Sequence, residues 1–329
     1  MATMQDVALR AGVSPKTVSR VFNEDPHVLP ETRSRVEDAM RELNYVPNVL
    51  ARTFRAGRSS SIGVAVPDLV DPFFASVVRA VESVCSLTGI TTLVTSIGDD
   101  PARERPVLES LLRSQLRGLI LAPVSEDQSW LSQWAEHTPI VFVDRAPVGL
   151  GADTLVEDDR LGAYLATDHL LGHGHTRIGF VADTTHPPST RRRLEGYRAA
   201  LADKGVSFDE HLVAEEANGR QRAAAEVDRL WRDLAPPTAV FSSNARVTMD
   251  LIPALRGRNV ALVGFGDFQM ADQLSPPVTV VRQDPVELGR LAATRALARF
   301  ADSDGRHEPA TVLPVSLVLR ESCGCAASG

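Results

Sequence analysis

Apolar residues near the start of the chain recur at the three- and four-residue spacing of amphipathic helices. Thr3 and Asp6 have the spacing of a helix cap, and the apolar residues that follow share one face: Val7, Ala8 and Ala11. After a turn at Gly12, Ser14 caps a second predicted helix over 15–22. Its inward residues are Val18 and Val21. Two short helices around such a turn predict a helix-turn-helix motif.

A third predicted helix begins at Pro30 and completes a small helical domain. Its apolar residues return every three or four positions: Val36, Ala39, Met40 and Leu43. Beyond Pro47, residues 48–56 have the pattern of a short hinge helix that Gly57 closes. Because so short a helix is marginal in water, we expect it to be ordered only when a partner such as DNA holds it.

From Ser61 onward, β-rich runs alternate with helical stretches. The predicted strands are 62–66, 91–96, 118–122, 139–144, 177–182, 239–242, 260–264 and a final run over 311–319. The predicted helices are 75–87, 103–114, 129–137, 161–172, 191–204, 219–234 and 287–301. This alternation is typical of doubly wound parallel sheets, and two such series predict two α/β lobes.

The pattern therefore predicts two domains, a helical one over 1–58 and a two-lobed one over 59–329. The lobes should comprise the following ranges: 61–157 with 286–312 in the first, and 158–283 with 313–323 in the second. A length of 329 residues suits such a division.

Charge is distributed unevenly along the chain. Its 35 basic and 42 acidic residues give a net charge of −7, which argues against a surface that binds nucleic acid throughout. Residues 1–58, however, hold nine Arg or Lys against seven acids. We expect only this basic head to face phosphates.

Composition favours a cytoplasmic protein without a membrane partner. No apolar run reaches the roughly 18 residues that span a bilayer, and Asp6 and Arg10 interrupt the first apolar stretch, which is wrong for a secretory signal. Three cysteines are too few for a disulfide framework.

Polar and aromatic residues follow several of the predicted strands, where open α/β sheets bind ligands. They include Asp68, Asp71, Phe73, Asp144, Arg145, Asp183, Asn244 and Asp267. Carboxylates, amides and guanidinium groups beside aromatic rings suit a hydroxyl-rich ligand such as a sugar. The same residue types are also common as caps and turn formers between strands and helices.

Motifs for metals, nucleotides and catalysis are incomplete. His169, His173 and His175 have a spacing that could bind zinc, but no nearby cysteine or acid completes a ligand set. The run Gly264-Phe265-Gly266 lacks the third glycine of a dinucleotide site. We therefore predict no metal, no cofactor and no enzymatic activity.

Long motifs in both domains resemble the lactose-repressor (LacI/GalR) family of bacterial transcription factors. In the head they are DVALRAGVSPKTVSRVFN, VLPETRSRVEDAMRELNYVPN and ARTFR. In the body they are GVAVPDLVDPFF, IVFVDR, VEDDRLGAYLATDHLLGHGHTRIGFV, RRRLEGYRAAL and VTVVRQDPVELGR, which look like the family's effector module, itself similar to periplasmic sugar-binding proteins.

The resemblance implies two sets of site residues. Those that would bind DNA are Thr3, Ser14, Pro15, Lys16, Thr17, Ser19, Arg20 and Asn23 in the head, with Asn48, Ala51 and Phe54 in the hinge helix. Pro15, Lys16 and Arg20 occupy base-reading positions, and Phe54 would be a bulkier minor-groove wedge than the leucine of many relatives. Those that would bind the effector are Asp71, Phe73, Asp144, Arg193, Asn244 and Asp267.

The implied function is a homodimeric repressor that binds a pseudo-palindromic DNA operator and responds to a sugar or sugar derivative between the lobes. Relatives commonly carry acids where this chain has Ala245 and Gly266, so a nucleobase, another metabolite or a protein corepressor stays an alternative. A solute-binding protein without a regulatory role is a further one. Because the chain ends soon after its last strand without a leucine-rich helix, we expect a dimer rather than a tetramer.

Overall fold

The described residues form two compact units. The computed structural model describes residues 3–22, 25–43, 61–232, 235–302 and 310–324. One unit covers 1–59 and the other covers 60–329. We call them the head and the body. The predicted hinge helix over 48–56 lies outside the described residues.

The head contains three described helices around one apolar core: α1 (Met4–Ala11), α2 (Pro15–Phe22) and α3 (Pro30–Glu42). The capping box between Thr3 and Asp6 is confirmed, since each side chain bonds the backbone N–H of the other residue. The predicted inward residues are buried together: Val7, Ala8, Ala11, Val18, Val21, Val36 and Ala39. The spacing of apolar residues thus sufficed to predict this core.

The body contains two six-stranded sheets. The first sheet has the order β11-β5-β4-β3-β1-β2, and all its strands are parallel: β1 (Ser61–Val66), β2 (Thr91–Ser96), β3 (Gly118–Leu121), β4 (Ile140–Val143), β5 (Asp153–Glu157) and β11 (Ala310–Leu313). The second has the order β12-β10-β9-β8-β6-β7: β6 (Ile178–Val181), β7 (Val213–Ala214), β8 (Ala239–Ser242), β9 (Ala261–Phe265), β10 (Thr279–Arg282) and β12 (Ser316–Val318). There, β12 is antiparallel to β10.

Helices connect these strands and cover the sheets. They are α4 (Pro72–Leu87), α5 (Pro101–Leu112), α6 (Ser132–Ala135), α7 (Asp159–Gly172), α8 (Pro188–Asp203), α9 (Arg220–Leu230), α10 (Ala245–Leu255) and α11 (Pro285–Ala301), with 3-10 turns at Ser129–Leu131 and Glu210–Leu212. Strands such as β3 and β4 are buried at every position, as parallel strands covered on both faces require. Each sheet and its helices form one lobe.

The chain crosses between the lobes more than once. After β10 of the second lobe, α11 packs on the first lobe, where Leu288 and Ala292 share a core with Val77. Next, β11 pairs with β5 of the first sheet and β12 pairs with β10 of the second. The region where the chain crosses therefore joins both lobes. Within the described residues, no helix combines the length and the apolar character that a membrane crossing requires.

Four element predictions were wrong in detail, and β5, β7, β10 and α10 were not predicted. Helices α4 and α5 begin at prolines, earlier than the predicted 75 and 103, because Asp71 and Asp100 cap them. The predicted helix over 129–137 is a 3-10 turn followed by one short helical turn. The predicted run over 311–319 is two strands in different sheets, with Pro314 between them.

Candidate functional site

A cavity of about 610 Å³, lined by charged, amide and aromatic side chains, lies where strand ends of the two lobes meet. From the first lobe, the residues that follow β1, β2, β3 and β4 line it, and from the second lobe those that follow β6, β8 and β10. Parallel strands present their C-terminal ends at one edge, which is why these residues converge. The structure brings together five residues of the predicted effector site at this cavity: Asp71, Phe73, Asp144, Arg193 and Asn244.

Arg193 is a fixed, buried cation in the cavity wall. Its Nε donates to Asp159 Oδ1 at 2.8 Å, its Nη2 lies 2.7 Å from the same oxygen, and its Nη1 donates to the Ser243 carbonyl at 2.7 Å. The guanidinium also lies 3.8 Å from the centre of the Phe265 ring. Three of its five N–H groups are thus used, so two remain for a ligand.

Asp144 lies beside Arg193 at the end of β4. One carboxylate oxygen is 4.0 Å from Arg193 Nη2, and the other accepts from Arg145 Nε at 3.0 Å. Its backbone has a φ of 64°, in the left-handed region that Asp tolerates better than most residues. Arg145 in turn donates to the Pro123 carbonyl at 3.0 Å. This network fixes the Asp144 carboxylate at the cavity edge.

Asp71 and Phe73 line the cavity at the start of α4. Asp71 Oδ1 accepts from the Phe73 backbone N–H at 2.9 Å, which caps the helix. Burial raises the pKa of Asp71 to about 6, because an ionised carboxylate loses solvation there. The Phe73 ring contacts Phe74 edge to face at 5.2 Å between centroids. A carboxyl group therefore adjoins an aromatic surface.

Asn244 serves as both cap and cavity lining. Its side-chain oxygen accepts from the Val247 backbone N–H at 2.8 Å at the start of α10. The amide nitrogen is left to donate to a ligand.

The position of Asp267 departs from the prediction, because this residue does not line the cavity. Its carboxylate accepts from Arg320 Nη1 and Nη2 at 3.0 and 2.8 Å, and lies 3.3 Å from Arg282 Nη2. Partial burial acts against ionisation, but these guanidinium groups lower the pKa of Asp267 overall. The carboxylate is therefore held on the C-terminal segment, away from the other five predicted residues.

A charged bridge crosses the cavity, and the predicted effector site included none of its residues. Arg246 on α10 of the second lobe donates to Asp183 Oδ2 at 2.6 Å and reaches Asp68 Oδ2 of the first lobe at 3.2 Å. Asp99, also of the first lobe, lies 3.6 Å away and accepts from Asn218 of the second lobe at 3.3 Å. A signal was present, because an arginine in the first turn of a helix opposes the helix dipole and needs acidic partners.

A buried acid adjoins the cavity wall. Glu157 is fully buried at the end of β5, and neither carboxylate oxygen has a hydrogen-bond partner among the described residues. Burial, followed by the neighbouring Asp144 and Asp159 carboxylates, raises the pKa of Glu157 well above its usual range. Three buried carboxyl groups, those of Asp144, Glu157 and Asp159, thus surround Arg193.

In the head, the predicted DNA-binding residues of α2 lie at or near the surface. Pro15, Lys16 and Arg20 are exposed, and Ser19 is half-buried. Ser14 Oγ accepts from the Thr17 backbone N–H at 3.1 Å and lies 3.0 Å from the Thr17 hydroxyl, so Ser14 also caps α2. The remaining predicted contacts of this region lie outside the described residues: Asn23, Asn48, Ala51 and Phe54.

Comparison with known proteins decides the family. The model of bacterial regulatory proteins of the lacI family matches residues 3–48, and that of the periplasmic binding protein-like domain matches residues 167–323. The chain is 31% identical to the ribose operon repressor of Haemophilus influenzae over 98% of both chains. The chain belongs to the LacI family. The resemblance stated from the motifs is confirmed, and so is the fold class.

Other members extend this result. The chain is 33% identical to the HTH-type transcriptional regulator GalR of Escherichia coli, over 98% of this chain and 96% of the relative. A lac repressor dimer bound to operator and the anti-inducer ONPF matches with a TM-score of 0.84 and 27% identity, over 98% of this chain and 99% of that one. These relatives are transcriptional repressors or regulators by name. This LacI-family chain is accordingly a regulator and not an enzyme.

Proposed function

We propose that the chain is a homodimeric repressor in the bacterial cytoplasm, whose affinity for a pseudo-palindromic operator depends on a small polar ligand in the cavity. The observation that carries this proposal is the cavity with charged and amide side chains at the strand ends of both lobes, in a chain whose head contains a helix-turn-helix. A ligand that contacts both lobes stabilises one arrangement of them. The matched lac repressor is a dimer when it is bound to its operator, which supports a dimer here.

A sugar or sugar derivative fits this cavity best. The two free N–H groups of Arg193 and the amide nitrogen of Asn244 are donors for hydroxyl oxygens, and the Asp71 carboxylate accepts from hydroxyl groups. The Phe73 ring offers an apolar face for a pyranose or furanose ring. Relatives support the class, since one solved structure is the regulator CelR in complex with cellobiose.

A less polar or modified effector is the second candidate. A Cβ at Gly266 would lie 3.1 Å from Gln283 Oε1 and 3.4 Å from the Ala245 side chain, so these two small residues adjoin. Neither residue has a side-chain acceptor for a sugar hydroxyl, unlike the acids that relatives commonly carry at these positions. A nucleobase or a sugar with an apolar substituent would need fewer acceptors there.

Thermal shift assays test the cavity. The purified chain is screened against sugars, glycosides, sugar phosphates and nucleobases, because a ligand at 100 times its dissociation constant adds about 2.7 kcal/mol to stability. Asp71→Asn should abolish or weaken the shift, whereas Asp267→Asn, the same change outside the cavity, should not. Equal ligand shifts in wild type and Asp71→Asn would contradict the site assignment.

DNA selection tests the head. Arg20→Ala should cost about 1–3 kcal/mol of specific binding and relax selectivity at one base pair per half-site. An equal loss on selected and scrambled DNA would contradict base reading by Arg20. By reciprocity, operator DNA must change effector affinity by the same factor as the effector changes operator affinity.

A further inference from the structure

The base-reading candidate Arg20 is held by an acidic residue just beyond its helix. Arg20 Nε donates to Asp25 Oδ2 at 2.9 Å. The Arg20 side chain is 55% exposed, whereas that of Asp25 is 23% exposed. The carboxylate thus contacts the Nε side of the guanidinium, and more than half of the Arg20 side chain stays exposed.

Asp25 is itself fixed by several hydrogen bonds. Its Oδ1 accepts from the His27 backbone N–H at 2.9 Å and lies 3.0 Å from the His27 ring Nδ1. Its backbone N–H donates to the Arg20 carbonyl at 3.0 Å, and its carbonyl accepts from Arg33 Nη2 at 2.9 Å. The His27 backbone N–H, more than any other group, lowers the pKa of Asp25. The acid is therefore an ionised and rigid support.

The contact between Asp25 and Arg20 Nε leaves the Nη1 and Nη2 groups of Arg20 available to bind a base. Guanine offers two acceptors, O6 and N7, and two parallel N–H groups of one guanidinium match them. A carboxylate on Nε orients the guanidinium plane and leaves the edge formed by Nη1 and Nη2 for a base. The Arg20 side chain is then already restricted to fewer rotamers in the free protein, so it loses less conformational entropy when it binds DNA.

We propose that Asp25 is a positioning residue, which presents the Nη1–Nη2 edge of Arg20 to a guanine in each operator half-site. This inference rests on the proposed function of the head. A carboxylate near DNA also repels phosphates, so a merely electrostatic role would make its removal strengthen binding. Positioning requires the opposite result, and only on the correct sequence.

The experiment begins with selection of double-stranded DNA from a random library by the purified wild-type chain. Affinities for enriched and scrambled DNA are then measured by fluorescence anisotropy for Asp25→Asn, Asp25→Glu, Arg20→Ala and the double variant Arg20→Ala with Asp25→Asn. We expect Asp25→Asn to weaken enriched-site binding by about 5- to 50-fold, less than deletion of a full bidentate contact. Asp25→Glu should restore part of the loss.

If Asp25 positions Arg20, two further results should follow. A selection repeated with Asp25→Asn should show a relaxed preference at one guanine per half-site. In the Arg20→Ala background, Asp25→Asn should have no additional effect on enriched-site affinity, because the residue acts through Arg20.

Asp38→Asn is the matched control. Asp38 pairs with Arg41 at 2.5 Å on α3, so this variant makes the same change of charge within the head without touching Arg20. It should leave the selected sequence unchanged. Thermal melting of each variant verifies that the head is folded.

The inference is overturned if Asp25→Asn binds enriched DNA as tightly as wild type with the same base preference, or if its effect persists in the Arg20→Ala background. A wild-type chain that enriches no sequence would overturn the proposed function together with it. Failure of the inference and failure of the proposed function are distinguishable, because only the latter leaves the wild-type chain without a selected DNA sequence.

Discussion

Arg246→Gln should loosen the contact between the two lobes across the cavity. The Arg246 guanidinium lies 3.2 Å from Asp68 and 3.6 Å from Asp99 of the first lobe, and 2.6 Å from Asp183 of its own lobe. Glutamine keeps much of the side-chain bulk but removes the charge. The carboxylates would then repel each other across the cavity, so we expect lower stability and a wider separation of the lobes.

The magnitude follows from the geometry of the Arg246–Asp68 pair. Two unit charges about 4 Å apart attract by roughly 4 kcal/mol at an effective dielectric constant of about 20. The two side chains are 22% and 31% exposed, so solvent screening and side-chain ordering offset much of this attraction. Fully exposed pairs contribute about 0.2–1 kcal/mol. We therefore expect a coupling free energy of about 1–2 kcal/mol for this partly buried pair.

A double-mutant cycle measures that coupling. Free energies of unfolding in urea are determined for wild type, Arg246→Gln, Asp68→Asn and the double variant, and spin labels on the two lobes report their separation. Asp183→Asn is the control, because Asp183 lies on the same lobe as Arg246. It should reduce stability without widening the separation.

Added salt should reduce the coupling, since partly exposed charges are screened. A coupling below about 0.3 kcal/mol, the usual error of additivity, together with an unchanged separation in Arg246→Gln, would refute the bridge between the lobes.

Two further predictions concern stability. Gly196→Ala should lower the free energy of unfolding by about 1–3 kcal/mol, because the new Cβ would clash with the Arg160 carbonyl on α7, although alanine favours helices. Gly172→Ala is the control, because a Cβ at this position meets open space. Equal urea midpoints for the two variants would contradict the packing argument. Asp71→Asn should become more stable than wild type as pH rises. Folding raises the pKa of Asp71 from 3.8 to about 6, so the folded state binds this proton more tightly and wild type loses stability between these values. The difference should reach at most about 3 kcal/mol and stay constant above pH 6, and a difference independent of pH in urea unfolding would contradict it.

Local patterns predicted the elements that local forces determine. The head was predictable because Val7, Val18 and Val36 recur at helical spacing and small helices bury such faces together. Several helix starts were misplaced because the Asp–Pro pairs at 71–72 and 100–101 were not read as caps. Strand β5 was missed because it contains polar residues, and Asp153 at its start is buried only because Arg295 and Arg299 of α11 pair with it.

By itself, the sequence determined the family, the two domains' element types and the edge of the sheets where polar residues converge. Strands in a parallel sheet end at the same edge, so residues after them meet whatever their order in the chain. Tertiary structure alone decided which charged groups pair. In the folded chain, Asp267 pairs with Arg320, and Arg246 pairs with acids from both lobes. Asp25 likewise pairs with Arg20. Charge pairing depends on distances of a few ångströms between residues remote along the chain or beyond a helix end, and spacing patterns do not record such distances.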